Sequence, residues 1–211
     1  MTEITDLHRR ALDSTGRVVA GISADQLGLI TPDAEWDVHA LLNHVVAGNL
    51  WAAELAAGRT IDQVGDRLDG DVIGADPAAA YGRSAEAAAA VFEAPGALEA
   101  PCAVSYGPVP GSVYAGHRFV DVLIHGWDLA KATGQDTSLD PELVDACTQV
   151  LDRRSRRSGQ RARSVLPWPA GREIALRPGC SPCSADAPDL AGATGSASTR
   201  GQPDRARRCA R

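Results

Sequence analysis

Apolar residues recur at helical spacing in five stretches of the first 150 residues. In each stretch Leu, Val, Ile or Ala returns every three or four positions, which is the period of an amphipathic helix. The stretches are residues 3–21, 38–57, 77–92, about 113–133, and 141 to beyond 150. Asp37 is placed to cap the second helix, Pro77 to begin the third, and Gly134 to end the fourth. The pattern predicts an all-α chain.

The segments between these helices predict loops and one short extended insert. Residues 59–75 contain several Gly and Asp residues, which is typical of a loop. Residues 101–111 place Cys102, Val104 and Val109 between prolines and glycines, which predicts a short strand or hairpin. The expected architecture is therefore a helical bundle over residues 1–154, with one extended insert and an irregular tail over 155–211.

Composition supports the helical prediction and indicates the cellular compartment in which the protein is expected. The chain has 211 residues and is 44% hydrophobic, which is enough to bury a core. Its apolar residues are mostly Ala, Val and Leu, and Ala and Leu favour helices. We expect a cytoplasmic protein without a signal peptide, because residues 1–10 are polar and no long apolar run occurs. Five cysteines, an odd number thinly spread, predict reduced thiols.

The charge is divided sharply near residue 153. Residues 1–152 hold 8 basic and 23 acidic residues, whereas residues 153–211 hold 13 basic and 4 acidic ones. Three interpretations of the basic tail are open: an arm that binds nucleic acid, a solvated disordered segment, or the product of a frameshift in a GC-rich gene. Nucleic acid is disfavoured because the arginines lack interleaved aromatic residues. We favour the frameshift, which translation of the other two frames from about codon 150 would test.

The fourth predicted helix carries four polar residues that belong to one face. His117, Asp121, His125 and Asp128 follow one another at steps of four, four and three. A solvated stripe would give the same spacing. Val120, Ile124 and Trp127 interleave with them, which predicts a half-buried face where such groups must be paired or bind a metal. We take Asp121 and His125 as metal ligands, and His117, Trp127 and Asp128 as weaker candidates for contacts to a cofactor or ligand.

The second predicted helix offers a third ligand. His44 lies in register with the apolar stripe that includes Leu41 and Leu42, whereas His39 lies at a different azimuth and is expected to face solvent. A histidine beside a core stripe is also explained by a hydrogen bond within the core. From spacing alone both interpretations of His44 remain open.

The motifs on these two helices resemble a known family. Trp36 to His44, followed by Asp121-Val-Leu-Ile-His125-Gly-Trp-Asp128-Leu-Ala, resembles the metal-binding domain of mycothiol-dependent maleylpyruvate isomerases. That domain is a DinB-like four-helix bundle, and the resemblance covers about residues 4–150. It implies that His44, Asp121 and His125 form a triad that holds a divalent metal, with zinc expected. The isomerases usually carry Glu where this chain has Asp121.

The resemblance also implies a chemistry. In the family the metal holds the thiol of mycothiol as a thiolate, so the expected function is transfer or isomerisation with a small thiol and a small electrophile as partners. Nothing in residues 155–211 resembles the second, C-terminal domain of the isomerase. Two alternatives therefore stay open: a non-catalytic metal- or ligand-binding bundle, and a nucleic-acid-associated protein acting through its basic tail. The oligomeric state is open as well, with a homodimer as one option.

Overall fold

The structure is a computed structural model that describes residues 2–33 and 35–158. A single 3-10 turn at Ala24–Gln26 accompanies the longer elements. In chain order these are α1 (Ile4–Ala20), α2 (Val38–Ala56), α3 (Ile61–Val64), α4 (Pro77–Glu93), β1 (Pro101–Val104), β2 (Gly107–Pro110), α5 (Gly111–Thr133) and α6 (Pro141–Ser158).

Four long helices form the bundle. Helix α1 packs against α4 and α5, and α2 packs against the same two helices from the other side, so α1 and α2 lie on opposite corners. Helix α6 packs on α5. Leu41, Leu42 and Val45 of α2 and Phe119 and Val122 of α5 are fully or almost fully buried between the helices. This is the all-α bundle that the apolar pattern predicts, and it agrees with the four-helix bundle that the resemblance implies.

The two strands form the predicted insert. They pair as an antiparallel hairpin in which Cys102 lies opposite Val109. The buried thiol of Cys102 packs with Phe92 and Tyr114 in a second apolar cluster at this end of the bundle. The hairpin therefore closes the bundle next to the start of α5.

The structure differs from the predictions in the start of one helix and in one additional short helix. Hydrogen bonds explain both differences. Helix α5 begins at Gly111 rather than near Val113, because the first N–H groups, of Gly111 and Ser112, donate to the carbonyls of Ala100 and Leu98. Helix α3 lies inside the predicted loop of residues 59–75. Its Thr60 and Gln63 cap each other's backbone N–H groups in a capping box, which is a sequence signal for a helix start.

The C-terminal part of the chain is described only as far as Ser158. The first four residues of the predicted tail belong to α6. The remaining predictions for the tail, including the Cys180-Ser-Pro-Cys183 stretch, lie outside the described residues. Among the helices that are described, none is both long and apolar enough to cross a membrane.

Candidate metal centre

Helices α2 and α5 bring the three predicted ligands together. The Nε2 atom of His44 lies 3.5 Å from Oδ1 of Asp121, and the Nε2 atom of His125 lies 3.6 Å from the same oxygen. One ligand atom from each of the three residues falls within 4.8 Å of the others. Two imidazole nitrogens and one carboxylate oxygen that converge in this way are a suitable donor set for a divalent transition metal.

Local sequence explains why these side chains meet. Asp37 caps α2 by accepting a hydrogen bond from the Ala40 N–H at 2.8 Å, which fixes the start of the helix that carries His44. On α5, Asp121 and His125 are four residues apart and so lie one turn apart on one face. His39, by contrast, is 41% exposed and lies 3.9 Å from Asp71, away from the centre, as expected.

An aromatic side chain, Trp36, flanks the candidate centre. Its ring lies 4.6 Å from the His44 ring and 6.1 Å from the His125 ring, centroid to centroid. Trp36 therefore forms one wall of the candidate site. The loop before α2 folds back over the two histidines, which spacing along α5 does not reveal.

Asp128 orients one of the ligand histidines. Its Oδ2 accepts a hydrogen bond from Nδ1 of His125 at 3.1 Å, which leaves Nε2 of that ring directed at Asp121. Burial by itself lowers the pKa of His125, but the hydrogen bond to Asp128 and the negative charges of Asp121 and Asp128 outweigh burial and raise it. The second carboxylate thus fixes the tautomer in which Nε2 faces the other ligands.

Arg118 is the site residue that the sequence reasoning missed. Its guanidinium is 2% exposed and donates from Nη1 to Oδ2 of Asp121 at 2.7 Å. Burial alone would raise the pKa of Asp121, yet the positive charge of Arg118, together with the two histidines, holds that pKa well below its usual range. Asp121 is therefore a carboxylate at neutral pH. The spacing of three residues between Arg118 and Asp121 was the available signal.

The other residues predicted for this face of α5 do not all lie at the candidate site. His117 does not join the triad; its Nδ1 is hydrogen-bonded to the hydroxyl of Tyr106 at 2.6 Å, in the hairpin. The face is buried as predicted at Val120, which is 0% exposed, but the expectation was wrong for Ile124, which is 40% exposed. The rings of Trp36 and of His44 on α2 also lie against His125.

Comparison with known families identifies the family to which this bundle belongs. Residues 8–130 match the profile of the mycothiol maleylpyruvate isomerase N-terminal domain. The chain belongs to this family. The matched range includes Trp36, His44, Asp121, His125 and Asp128, and it confirms the resemblance drawn from the motifs on α2 and α5.

Relatives of this family member are found in Mycobacterium tuberculosis. The uncharacterized proteins MT0763 of strain CDC 1551 / Oshkosh and Rv0738 of strain ATCC 25618 / H37Rv are each 44% identical to it over 137 residues, which is 65% of this chain and 71% of the relative. No solved structure was found to match the chain. Membership thus ties the bundle to a mycothiol-related isomerase domain by sequence.

Proposed function

We propose that the protein binds a divalent metal ion, Zn²⁺, through Nε2 of His44, Oδ1 of Asp121 and Nε2 of His125. The observation that carries the proposal is the convergence of these three atoms from two helices. The donor chemistry fits the ion, because zinc takes imidazole nitrogens and carboxylate oxygens and catalytic zinc sites use three protein ligands. The charge fits as well, since Asp121 is held ionised and Asp128 adds a second carboxylate behind His125.

We further propose that the site activates the thiol of a small molecule, with mycothiol as the expected thiol, for addition to a small electrophile. A divalent metal held by these residues would supply this chemistry by lowering the pKa of a small-molecule thiol, so that the thiol would lose its proton to solvent and be a nucleophile at neutral pH. The family membership supports mycothiol as the thiol. The reaction class that we propose is S-transfer or isomerisation.

The two cysteines that the structure describes are poorly suited to the nucleophilic role. Cys102 and Cys147 are buried, and burial raises the pKa of each thiol. A raised pKa means that little thiolate exists at neutral pH. Neither cysteine belongs to the group formed by His44, Asp121 and His125. We therefore expect a bound small-molecule thiol, rather than either of the two described cysteines, to supply the nucleophile.

Each residue around the site has a role that does not depend on the metal's own chemistry. Asp128 holds His125 with Nε2 directed inward. Arg118 keeps the carboxylate of Asp121 ionised. Trp36 covers the two histidines and excludes water from one side of the site, which strengthens electrostatic interactions there.

Metal binding is tested by comparing histidine variants. We expect purified wild-type protein to contain or take up one Zn²⁺ per chain, and His44→Ala or His125→Ala to weaken its affinity by a hundredfold or more. His39→Ala is the matched control, because His39 is on the same helix as His44 but outside the triad. A wild-type protein that binds no Zn²⁺, and whose stability is the same with and without chelator, would refute the proposal.

Thiol transfer is tested separately on zinc-loaded protein. We expect thiol-dependent turnover of a small electrophile such as monobromobimane, faster with mycothiol than with glutathione and absent in His125→Ala. Zinc binding without turnover for any electrophile tried would favour the alternative of a non-catalytic metal- or ligand-binding bundle. Binding of nucleic acid by the full chain, lost on deletion of residues 159–211, would instead favour the basic tail as the functional element.

A further inference from the structure

Only one oxygen of Asp121 faces the two ligand histidines. Oδ1 lies 3.5 Å from Nε2 of His44 and 3.6 Å from Nε2 of His125. The other oxygen, Oδ2, accepts the hydrogen bond from Nη1 of Arg118 at 2.7 Å. The guanidinium thus occupies the oxygen that would otherwise be available as a second ligand atom.

The guanidinium is itself held by a chain of hydrogen bonds that crosses the bundle. Its Nη2 donates to Oδ1 of Asn49 on α2 at 3.1 Å. The Asn49 side-chain amide donates to the hydroxyl of Ser84 on α4 at 3.3 Å, and that hydroxyl donates to the Tyr81 carbonyl at 2.9 Å. Asn49 and Ser84 are 0% and 1% exposed. The orientation of Arg118 is therefore set by α2 and α4 as well as by its own helix.

The absence of a side chain at Gly48 makes room for this arrangement. A Cβ atom at position 48 would lie 2.5 Å from Nη1, 2.6 Å from Nη2 and 2.7 Å from Cζ of Arg118. These distances are well inside van der Waals contact, and the whole guanidinium would have to move. Gly48 lies within α2, where alanine is the better helix former. The close approach gives a physical reason for a glycine in the middle of this helix.

We propose that Arg118 is a positioning residue for the metal site. Gly48 leaves space for its guanidinium, and Asn49 accepts a hydrogen bond from it. By binding Oδ2 it makes Asp121 a ligand through Oδ1 alone, and it keeps coordination positions open for a thiol or substrate. This inference rests on the proposed metal binding by His44, Asp121 and His125. It specifies which oxygen of Asp121 binds the metal, which the identity of the three ligands alone does not determine.

The test displaces the guanidinium without touching a ligand. Gly48→Ala is compared with Gly82→Ala, a helical glycine on α4 where an added Cβ has no heavy atom within 4 Å. We expect Gly48→Ala to weaken Zn²⁺ affinity by about tenfold to a hundredfold, the usual effect of disturbing a group that orients a ligand. We expect Gly82→Ala to bind as the wild type does. Affinity is measured by competition with a chromogenic chelator.

Two further measurements distinguish positioning from general damage to the fold. In Co²⁺-loaded protein, release of Oδ2 raises the coordination number, so Gly48→Ala should lower the intensity of the visible absorption bands. Arg118→Lys retains the charge but lacks the planar pair of nitrogens that bind Asp121 and Asn49 separately, and should give the same spectral change. In a crystal structure of the zinc-loaded wild type, Oδ1 should be the ligand while Oδ2 stays on Arg118.

The outcomes separate this inference from the proposed function. Wild-type binding together with unchanged affinity and spectra in folded Gly48→Ala and Arg118→Lys would overturn the positioning role and leave the metal site intact. Asp121 bound through both oxygens in the wild type would overturn it as well, even if neither variant folds. A wild type that binds no metal would overturn both proposals.

Discussion

Acidification should destabilise this protein through one buried histidine outside the metal centre. His8 on α1 is 1% exposed, and its ring packs edge-on against Phe92 at 5.4 Å between centroids. Within the part of the chain that the structure describes, neither of its ring nitrogens has a hydrogen-bond partner. Burial, and then the positive charges of Arg118 and Arg9, lower the pKa of His8 from 6.5 to about 3.

The size of the effect follows from the two pKa values. Above pH 6.5 His8 is neutral in both the folded and the unfolded chain, so it imposes no cost on folding. Between pH 6.5 and about 3 the unfolded chain binds a proton that the folded chain does not, so the free energy of unfolding falls as the pH falls. Each pH unit in this window is worth about 1.4 kcal/mol, which gives about 2 kcal/mol at pH 5.

The assay compares wild type with His8→Leu, which fills a similar volume without a titratable group. Urea unfolding is measured at pH 7.5 and pH 5 in the presence of chelator, so that release of a metal does not contribute. We expect the wild type to lose about 2 kcal/mol more than the variant between these pH values. Other titrating groups contribute to both proteins and cancel in the difference. The variant should also be more stable at pH 7.5, because a buried group without a partner is removed.

The reasoning is refuted if the two proteins lose the same stability between pH 7.5 and pH 5. Equal losses would mean that His8 is protonated in the folded chain as readily as in the unfolded one. A hydrogen-bond partner or solvent would then have to reach the ring. The denaturant slope should be equal in the two proteins, which verifies that both unfold the same core.

Two further substitutions test the helix contacts that hold the site. Gly126→Ala should destabilise the bundle by about 1–3 kcal/mol, because the added Cβ would lie 2.1 Å from Oγ1 of Thr15 on α1. Gly116→Ala on the same helix is the control, because its Cβ would make ordinary van der Waals contacts with Val150 at 3.5 Å and Ile4 at 3.9 Å; equal urea midpoints for the two variants would contradict the close approach. Asp37→Ala should cost about 1 kcal/mol by removing the cap of α2, whereas Asp37→Asn should keep most of it; a thermal melt unchanged by the alanine would argue against the cap.

Much of the fold is predictable from the sequence because its signals are local. The apolar period marks all five long helices, and Asp37, Pro77 and Gly134 mark where three of them begin or end. The short α3 was missed, although its capping box was present in the sequence. The start of α5 was placed too late because its first N–H groups are satisfied by residues of another segment.

In the candidate site, too, some features follow from local spacing in the sequence and others depend on tertiary packing. The spacing of four residues determined that Asp121 and His125 share a face of α5. Only the packing of α2 against α5 decided that His44, rather than His39, lies within reach of Asp121. Packing also placed Trp36 over the histidines, His8 in the core, and Asn49 of α2 where it accepts a hydrogen bond from Arg118.

The sequence by itself therefore determined the long helices and the pair of candidate ligands that share a helix. Hydrogen bonds and side-chain spacing within a helix depend only on near neighbours in the chain, so their pattern is visible in the residues. The place of the third candidate ligand beside this pair and the aromatic wall of the site were decided by the tertiary structure, whereas Arg118 lies three residues before Asp121 on the same helix. These tertiary contacts join residues up to 89 positions apart, as for Trp36 and His125, and depend on how each helix is rotated about its axis.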